Sequence, residues 1–211
     1  MQILSHRGYW RSAEEKNSTT AFARSFELGF GTELDLRDLA RRLVVSHDPP
    51  AEPGLPADDV LAIHAAHDRS LPLALNVKSD GLQDLVVAAL RRHAPADAFV
   101  FDMSIPDTLH WLRRGVPVFT RHSEVEPEPA LYDQAAGVWL DAFHGDWWDA
   151  DVVRRHVEAG KRVCVVSPEL HRRDHRAAWE RLRVAEFRAS DRVLLCTDLP
   201  EDARGFFAHE D

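Results

Sequence analysis

The chain of 211 residues has only two cysteines, Cys164 and Cys196, and each falls inside an apolar run that reads as a strand. Two thiols placed in this way make no disulfide framework, so both are expected to be reduced core residues. Nowhere are there 18 or more consecutive apolar residues, and the opening MQILSHRG has neither a basic leader nor a long apolar core. No membrane span and no secretory signal are expected, which makes the cytoplasm the default compartment. Positive charge is not in excess: 26 Lys and Arg stand against 35 Asp and Glu, for a formal net charge of −9. That balance argues against a general nucleic-acid binder, while a local basic pocket able to take a phosphate stays open. The glycine pattern of a dinucleotide-binding unit is missing after the first strand, and no repeat or low-complexity segment interrupts the chain.

What is present is an ordinary globular composition, 45% hydrophobic and 29% charged, long enough for one domain, residues 1–211, with a large core. One stretch departs from that plainness. From Gly31 to Asp48 (GTELDLRDLARRLVVSHD) four ionisable groups stand where a buried strand carries apolar ones. Glu33, Asp35 and Arg37 alternate with Leu34 and Leu36, so the two carboxylates share a face about 7 Å apart, a spacing for clasping one cation. The same alternation also fits the wet face of an edge strand. A second apolar run then delivers His47 and Asp48, and Pro49 and Pro50 end it. At the N-terminus, Gln2 to Ser5 reads as a strand that stops at His6, Arg7 and Gly8, and Asn17 to Gly29 reads as a helix capped by Asn17 or Ser18.

Strand, His6-Arg7-Gly8, the helix start Asn17-Ser18-Thr19-Thr20-Ala21-Phe22, Glu33-Leu34-Asp35 and Val44-Val45-Ser46-His47-Asp48, in that order, resemble the glycerophosphodiester phosphodiesterase family. Asn76-Val77-Lys78 extends the likeness; beyond Lys78 it is architectural. The resemblance implies a third metal-binding carboxylate two residues before the lysine, and Asn76 stands there instead. It also implies a sizeable cover over the substrate after the second strand, where this chain has only the proline-rich stretch from Pro49 to Pro56.

The rest of the chain alternates regularly. Strands are expected at Leu71 to Lys78, Ala98 to Met103, Val116 to Thr120, Gly137 to Asp141, Arg162 to Val166 and Arg192 to Cys196. Helices are expected at Asp58 to Asp68, from Ser79 or Asp80 through Leu90, from Ser104 through Arg114, at Asp149 to Ala159, as one long helix from Asp174 to Ala189, and at Pro200 to Phe207, with a short helical turn at Glu128 to Gln134. Eight βα units in about 200 residues is the minimal size of an α/β TIM (β/α)8 barrel. A doubly wound open sheet is the alternative. In a barrel, His6, Glu33, Asp35, Lys78, Asp102, Arg121, Asp141, Ser167 and Asp198 all reach the one face where active sites form.

The function expected is metal-dependent hydrolysis of a small phosphodiester, a glycerophosphodiester by resemblance, which would belong to lipid metabolism. Glu33, Asp35 and the amide oxygen of Asn76 suit a hard cation, Mg²⁺ or Ca²⁺, better than zinc. His6 and His47 are the acid and base, with Arg7 and Lys78 holding and neutralising the phosphoryl group and Arg121 and Asp141 as further substrate contacts. Other histidines, such as His64, His67 and His156, lie in helical stretches and read as surface. The loops from His144 to Trp148 and from Pro168 to Arg173 offer an aromatic pair and positive charge to the mouth. Two alternatives remain: a lyase-type relative that releases a cyclic phosphate, and a non-catalytic barrel that binds a phosphorylated ligand.

Overall fold

A computed structural model describes residues 1–51 and 53–208, so Glu52 in the proline-rich stretch and the last three residues lie outside the described chain. The strands are β1 (Gln2–His6), β2 (Gly31–Leu39), β3 (Arg42–Val45), β4 (Leu55–Pro56), β5 (Leu73–Val77), β6 (Ala98–Phe101), β7 (Phe119–His122), β8 (Gly137–Leu140), β9 (Arg162–Val166) and β10 (Val193–Thr197). The helices are α1 (Thr19–Glu27), α2 (Ala57–His67), α3 (Gln83–His93), α4 (Ile105–Arg113), α5 (Ala150–Glu158), α6 (Arg176–Leu182), α7 (Ala185–Arg188) and α8 (Pro200–Ala208).

β1 pairs in parallel with β2 on one side and with β10 on the other. From β2 the ladder runs through β5 to β6, and from β10 through β9 and β8 to β7. The seam between β6 and β7 is closed by one parallel bridge, Val100 to Val118, with Val100 N–H donating to the Pro117 carbonyl at 2.9 Å. Eight parallel strands therefore form a closed barrel, and the open doubly wound sheet is ruled out. β3 and β4 are an antiparallel arm on the outer half of β2. Part of the proline-rich stretch is thus a strand rather than loop, at an edge where the absent N–H of Pro56 costs no ladder bond.

Period-two alternation explains both the core and the mouth. Leu4, Ala74, Phe99, Phe119, Trp139, Cys164 and Cys196 form one buried cluster that fills the barrel. Two residues further along their strands, on the same face, come His6, Asn76, Phe101, Arg121, Asp141, Val166 and Asp198. Asp102 breaks parity with Phe101 and still reaches the mouth, because its φ of 69° turns the chain there. Within the barrel, Phe99 and Phe119 stack at 3.7 Å, a contact worth about 1 kcal/mol beyond area burial. Gly137 makes the room: a Cβ on it would lie 2.5 Å from the Phe119 ring. The two cysteines are buried and unpaired, and burial raises both thiol pKa values.

Several expected elements move. Pro117 lacks an N–H, so regular pairing of the fifth barrel strand starts at Phe119 rather than Val116, and Arg121 sits inside it. The long helix breaks at Val184, whose ψ of 130° is extended. Leu182 and Phe187, five residues apart, would face opposite sides of one continuous helix, and the break lets both bury. Between β7 and β8 only a 3₁₀ turn forms, Tyr132–Gln134, after Pro127 and Pro129. Among the described residues no helix is long and apolar enough to cross a membrane.

His64 and His156 are not surface residues. His64 is fully buried, with Nε2 2.9 Å from the Leu71 carbonyl. His156 on α5 accepts from the Tyr132 hydroxyl at Nδ1, 2.8 Å, and meets His122 Nδ1 through its Nε2 at 3.0 Å. Burial, then the neighbouring His122 and Arg155, push His156 down to about 4 from an ordinary 6.5. Unfolded chains then bind a proton that the folded protein refuses between these values, so the stabilisation is complete above pH 6.5 and is lost as pH falls towards 4. His156→Gln is expected to flatten that acid loss. Urea unfolding of both proteins across the window measures it, and parallel slopes would count against the assignment.

Candidate active site

The first strand ends where the chain has to turn sharply. Arg7 and Gly8 both take positive φ, 59° and 79°, and a Cβ on Gly8 would meet Ala21 at 2.8 Å. Glycine is required there so that α1 can pack against the turn. The turn is pinned by Arg7 N–H donating to the Glu33 carbonyl at 3.0 Å and by Gly8 N–H donating to Thr32 Oγ1 at 3.1 Å. Ser18, of the two residues considered as cap, closes α1 by accepting from Ala21 N–H at 3.2 Å. Asn17 is thereby free, and its Nδ2 donates to Asp35 Oδ2 at 2.8 Å.

β2 brings Glu33 and Asp35 inward, and both are buried, at 1% and 0% exposure. β5 runs parallel with Asn76 in register with Asp35, and Lys78 follows on the same face. The two carboxylates live in different surroundings. Asp35 has Asn17, the Arg7 Nε at 3.0 Å and the Lys78 Nζ at 3.5 Å. Glu33 accepts from the Arg7 backbone at 3.2 Å and faces Asp35, so burial first and that like charge second push it up to about 8. Asp35 Oδ1, which has the Lys78 ammonium 3.5 Å away, and Asn76 Oδ1 are buried acceptors that no hydrogen bond satisfies. Such orphans cost free energy, and a hard cation with oxygen ligands would satisfy both while restoring Glu33 to its ionised form. Among the described residues no three His, Cys, Asp or Glu side chains converge as a metal-ligand group, and the oxygens gathered here belong to two carboxylates and one amide.

His6 Nδ1 lies 2.8 Å from Asp198 Oδ1, and its Nε2 points into the site, 4.0 Å from Glu33 Oε2. Burial lowers the histidine's pKa more than Asp198 raises it, which keeps the ring neutral with Nδ1–H held by the carboxylate and a lone pair free at Nε2. Asp198 is itself held by Glu169, which accepts its backbone N–H at 3.1 Å. His47 arrives by another route: Ser46 N–H donates to the Asp35 carbonyl at 3.0 Å, which carries the β3 arm to the rim. There His47 is 43% exposed, with Nδ1 2.9 Å from Asp48.

One cavity of about 330 Å³ is lined by His6, Arg7, Glu33, His47, Asn76 and Lys78, with Arg121 and Asp141 on the far wall. Asp35 lies beneath it. Arg121 is engaged by Asp102, by Asp141 at 2.7 Å and by Glu126 at 3.2 Å, while Asp141 also meets His171 Nε2 at 2.7 Å. The two loops expected at the mouth contribute differently from the expectation. Trp148 is core and Trp147 donates to the Asp141 carbonyl at 2.7 Å, so Phe143 lines the cavity instead. From the 168–173 segment, Leu170 and His171 reach it, whereas Arg173 pairs with Asp146. Ser167 is buried against Glu169 and Trp179 and does not line it.

Asn17 and Asp198 have site roles that sequence reasoning did not assign. Asn17 stands in the sequence as a possible cap and as the first residue of the helix-start motif, and Asp198 only as a polar residue past a strand. His171 carried no signal beyond the charge of its loop.

No protein-family model and no curated protein sequence matches the chain. Solved structures do, over nearly its whole length. A Galdieria sulphuraria protein classed as a glycerophosphodiester phosphodiesterase covers 99% of this chain and 98% of its own at a TM-score of 0.76 and 17% identity. An Oleispira antarctica phosphodiesterase in complex with the product sn-glycerol-3-phosphate covers 99% and 97%, with a TM-score of 0.71 and 14% identity. A Ca²⁺-dependent phosphatidylinositol-specific phospholipase C from Streptomyces antibioticus covers 96% and 95%, with a TM-score of 0.56 and 15% identity. The fold is therefore the barrel that the glycerophosphodiester phosphodiesterases have, as the motifs around His6, Glu33 and His47 implied.

The unequal carboxylates give opposite expectations for stability. Because Glu33 is raised from 4.5 to about 8, its stabilising proton is fully held below pH 4.5 and lost as pH rises through 8. Glu33→Gln is expected to stabilise the metal-free protein at pH 8 by an amount on the order of a few kcal/mol. Asp35→Ala is expected to destabilise it, because Arg7 and Lys78 lose their shared counter-charge. Denaturant unfolding at pH 8 reads both, and a destabilised Glu33→Gln variant would remove the proposed repulsion.

Proposed function

We propose that the chain is a metal-dependent phosphodiesterase that hydrolyses a small phosphodiester, a glycerophosphodiester in the first instance, to an alcohol and a phosphomonoester. The observation that carries this reading is the buried oxygen set of Glu33, Asp35 and Asn76, two of whose oxygens no hydrogen bond satisfies, placed beside Arg7, Lys78 and a neutral His6. The barrel shared with phosphodiesterases, one of them holding sn-glycerol-3-phosphate, supports the same class of substrate.

Glu33, Asp35 and Asn76 would hold the cation, Mg²⁺ or Ca²⁺, which supplies positive charge to the phosphoryl oxygens as negative charge builds on them. Arg7 and Lys78, whose side chains are only about one-fifth exposed, bind the same group from the protein side and fix its orientation. His6 accepts at Nε2 the proton of a substrate hydroxyl next to the phosphate. Asp198 holds Nδ1–H throughout and stabilises the imidazolium that forms. That hydroxyl oxygen bonds to phosphorus as the bond to the leaving alcohol breaks, and His47 gives the departing oxygen its proton. Water then opens the cyclic phosphate by the reverse proton movements, leaving the monoester.

Purified protein assayed with Mg²⁺ or Ca²⁺ against glycerophosphodiesters is expected to turn over, and no turnover of any small diester with either ion would overturn the reading. Accumulation of cyclic phosphate with no ring opening would make the protein a lyase instead. His6→Ala and His47→Ala are each expected to lower kcat by roughly 10² to 10⁴ fold. A p-nitrophenyl diester, whose leaving group needs no acid, restores His47→Ala alone. Rescue of His6→Ala in its place would reverse the two roles. Asn76→Glu is expected to tighten cation binding by adding a third carboxylate, and calorimetry that finds unchanged affinity would take Asn76 out of the ligand set.

A further inference from the structure

The far wall of the active-site cavity contains an aromatic ring that no regular element holds. Phe143 follows β8 in a stretch with neither helix nor strand, yet it lines the cavity beside Arg121, Trp139, Leu170 and His171. Its ring centroid lies 5.2 Å from the Arg121 guanidinium and 5.0 Å from the His171 ring. A half-buried ring on a loop keeps such a place only when the backbone beneath it is fastened. On either side the stretch is tied down: Arg173 Nη1 donates to the Ala142 carbonyl at 2.7 Å, and Trp147 Nε1 donates to the Asp141 carbonyl at 2.7 Å.

Between those ties one side chain holds the backbone. His144 N–H donates to Glu124 Oε1 at 2.6 Å, and among the described residues no residue other than Glu124 bonds the backbone of Phe143, His144 or Gly145. Glu124 Oε2 is buried with no formed hydrogen bond of its own. Burial opposes the charge on Glu124, but the N–H groups of His144, of Glu124 itself, of Phe143 and of Gly145 outweigh it and lower its pKa from the usual 4.5. The carboxylate thus sits as an anion in a concavity of backbone amides. Glu124 is itself aimed by a tight turn directly after β7, in which Ser123 and Glu126 exchange N–H···O bonds of 3.2 and 3.1 Å. The buried Ser123 hydroxyl accepts from the Val125 and Glu126 N–H groups. That turn also brings Glu126 to within 3.2 Å of Arg121. It therefore fixes both partners of one contact, the guanidinium through Glu126 and the ring through Glu124.

We propose that Glu124 is a positioning residue, which fastens the 143–145 backbone so that the Phe143 ring forms the wall on which one esterified arm of the substrate packs. The phosphate end rests on the proposed function. Lys78 Nζ lies 3.7 Å from Asp102 Oδ2, and Arg121 pairs with the same Asp102, so the phosphate-binding cations and this wall are contiguous. A ring face bordered by Arg121, Asp141 and His171 suits a polyol arm, whose C–H side meets the ring while its hydroxyls meet the polar rim.

Calorimetry with methyl phosphate, sn-glycerol-3-phosphate and sorbitol-6-phosphate, in the presence of Mg²⁺, tests the assignment without requiring turnover. The polyol phosphates are expected to bind more tightly than methyl phosphate, whose arm is too short to reach Phe143. Glu124→Ala and Phe143→Ala are each expected to erase that advantage, a loss of roughly tenfold in Kd, and to leave methyl phosphate unchanged. The double variant is expected to lose no more than Phe143→Ala, because both changes act through one ring. Glu124→Gln, which keeps a carbonyl oxygen for the His144 N–H, is expected to retain most of the advantage. Equal weakening of methyl phosphate by Glu124→Ala, additive losses in the double variant, or polyol phosphates that bind the unaltered protein no more tightly than methyl phosphate would each overturn the proposal. Coupled losses in a protein that turns over no diester would overturn the proposed function and leave the positioning role standing.

Discussion

Two carboxylates buried side by side on β2 set the terms for the rest of the mouth. A lone buried pair would be costly, since desolvation and mutual repulsion act in the same direction on both. Here the cost is divided unequally. Asp35 collects Asn17, Arg7 and Lys78, while Glu33 faces it with a raised pKa, the Arg7 backbone and the Asn76 side chain. Every neighbouring strand end answers that charge: β1 through Arg7 in its left-handed turn, and β5 through Lys78. The donor set is organised for charge to arrive rather than for charge to be absent.

Around that pair the barrel builds outward in shells of support. His6 is aimed by Asp198, Asp198 is held by Glu169, and Glu169 also receives Ser167 and Thr197 from the ends of β9 and β10. Catalytic precision of this kind comes from groups whose own geometry is fixed by further bonds. His47 sits on an arm at the rim, with Asp48 beside its ring and Arg37 Nε donating to its carbonyl at 3.0 Å. On the proposed division of roles, a base held rigid at the barrel mouth and an acid carried on the edge suit a substrate that enters from the His47 side.

The parts legible in the sequence were those where chemistry contradicts local pattern. Carboxylates on a strand, a His-Arg-Gly turn and a histidine before two prolines are each unexpected for packing alone, and in order they carried the site as far as Lys78. The barrel itself was legible from alternation, because inward and outward positions repeat every two residues. What was not legible depended on distance between elements. Nothing local marks Asn17 as a partner of Asp35 rather than a cap, or His156 as buried rather than on a surface helix face. The break at Val184 follows from where Phe187 has to go, which is a tertiary demand. Pro117 is a local signal for the late start of β7, since a residue with no N–H forms one ladder bond fewer.

The barrel wall is laddered at every seam except that between β6 and β7, which rests on the bridge from Val100 to Val118. A cylinder with one lightly stitched seam can change its girth only there. A cavity between α4, β7 and the 123–131 segment opens beside that seam, so a widening of the wall there breaks no ladder elsewhere. Substitutions along Val118 and the crossover that follows would alter the girth at that seam, while the laddered strands β1, β2 and β5 that carry the charged centre kept their register.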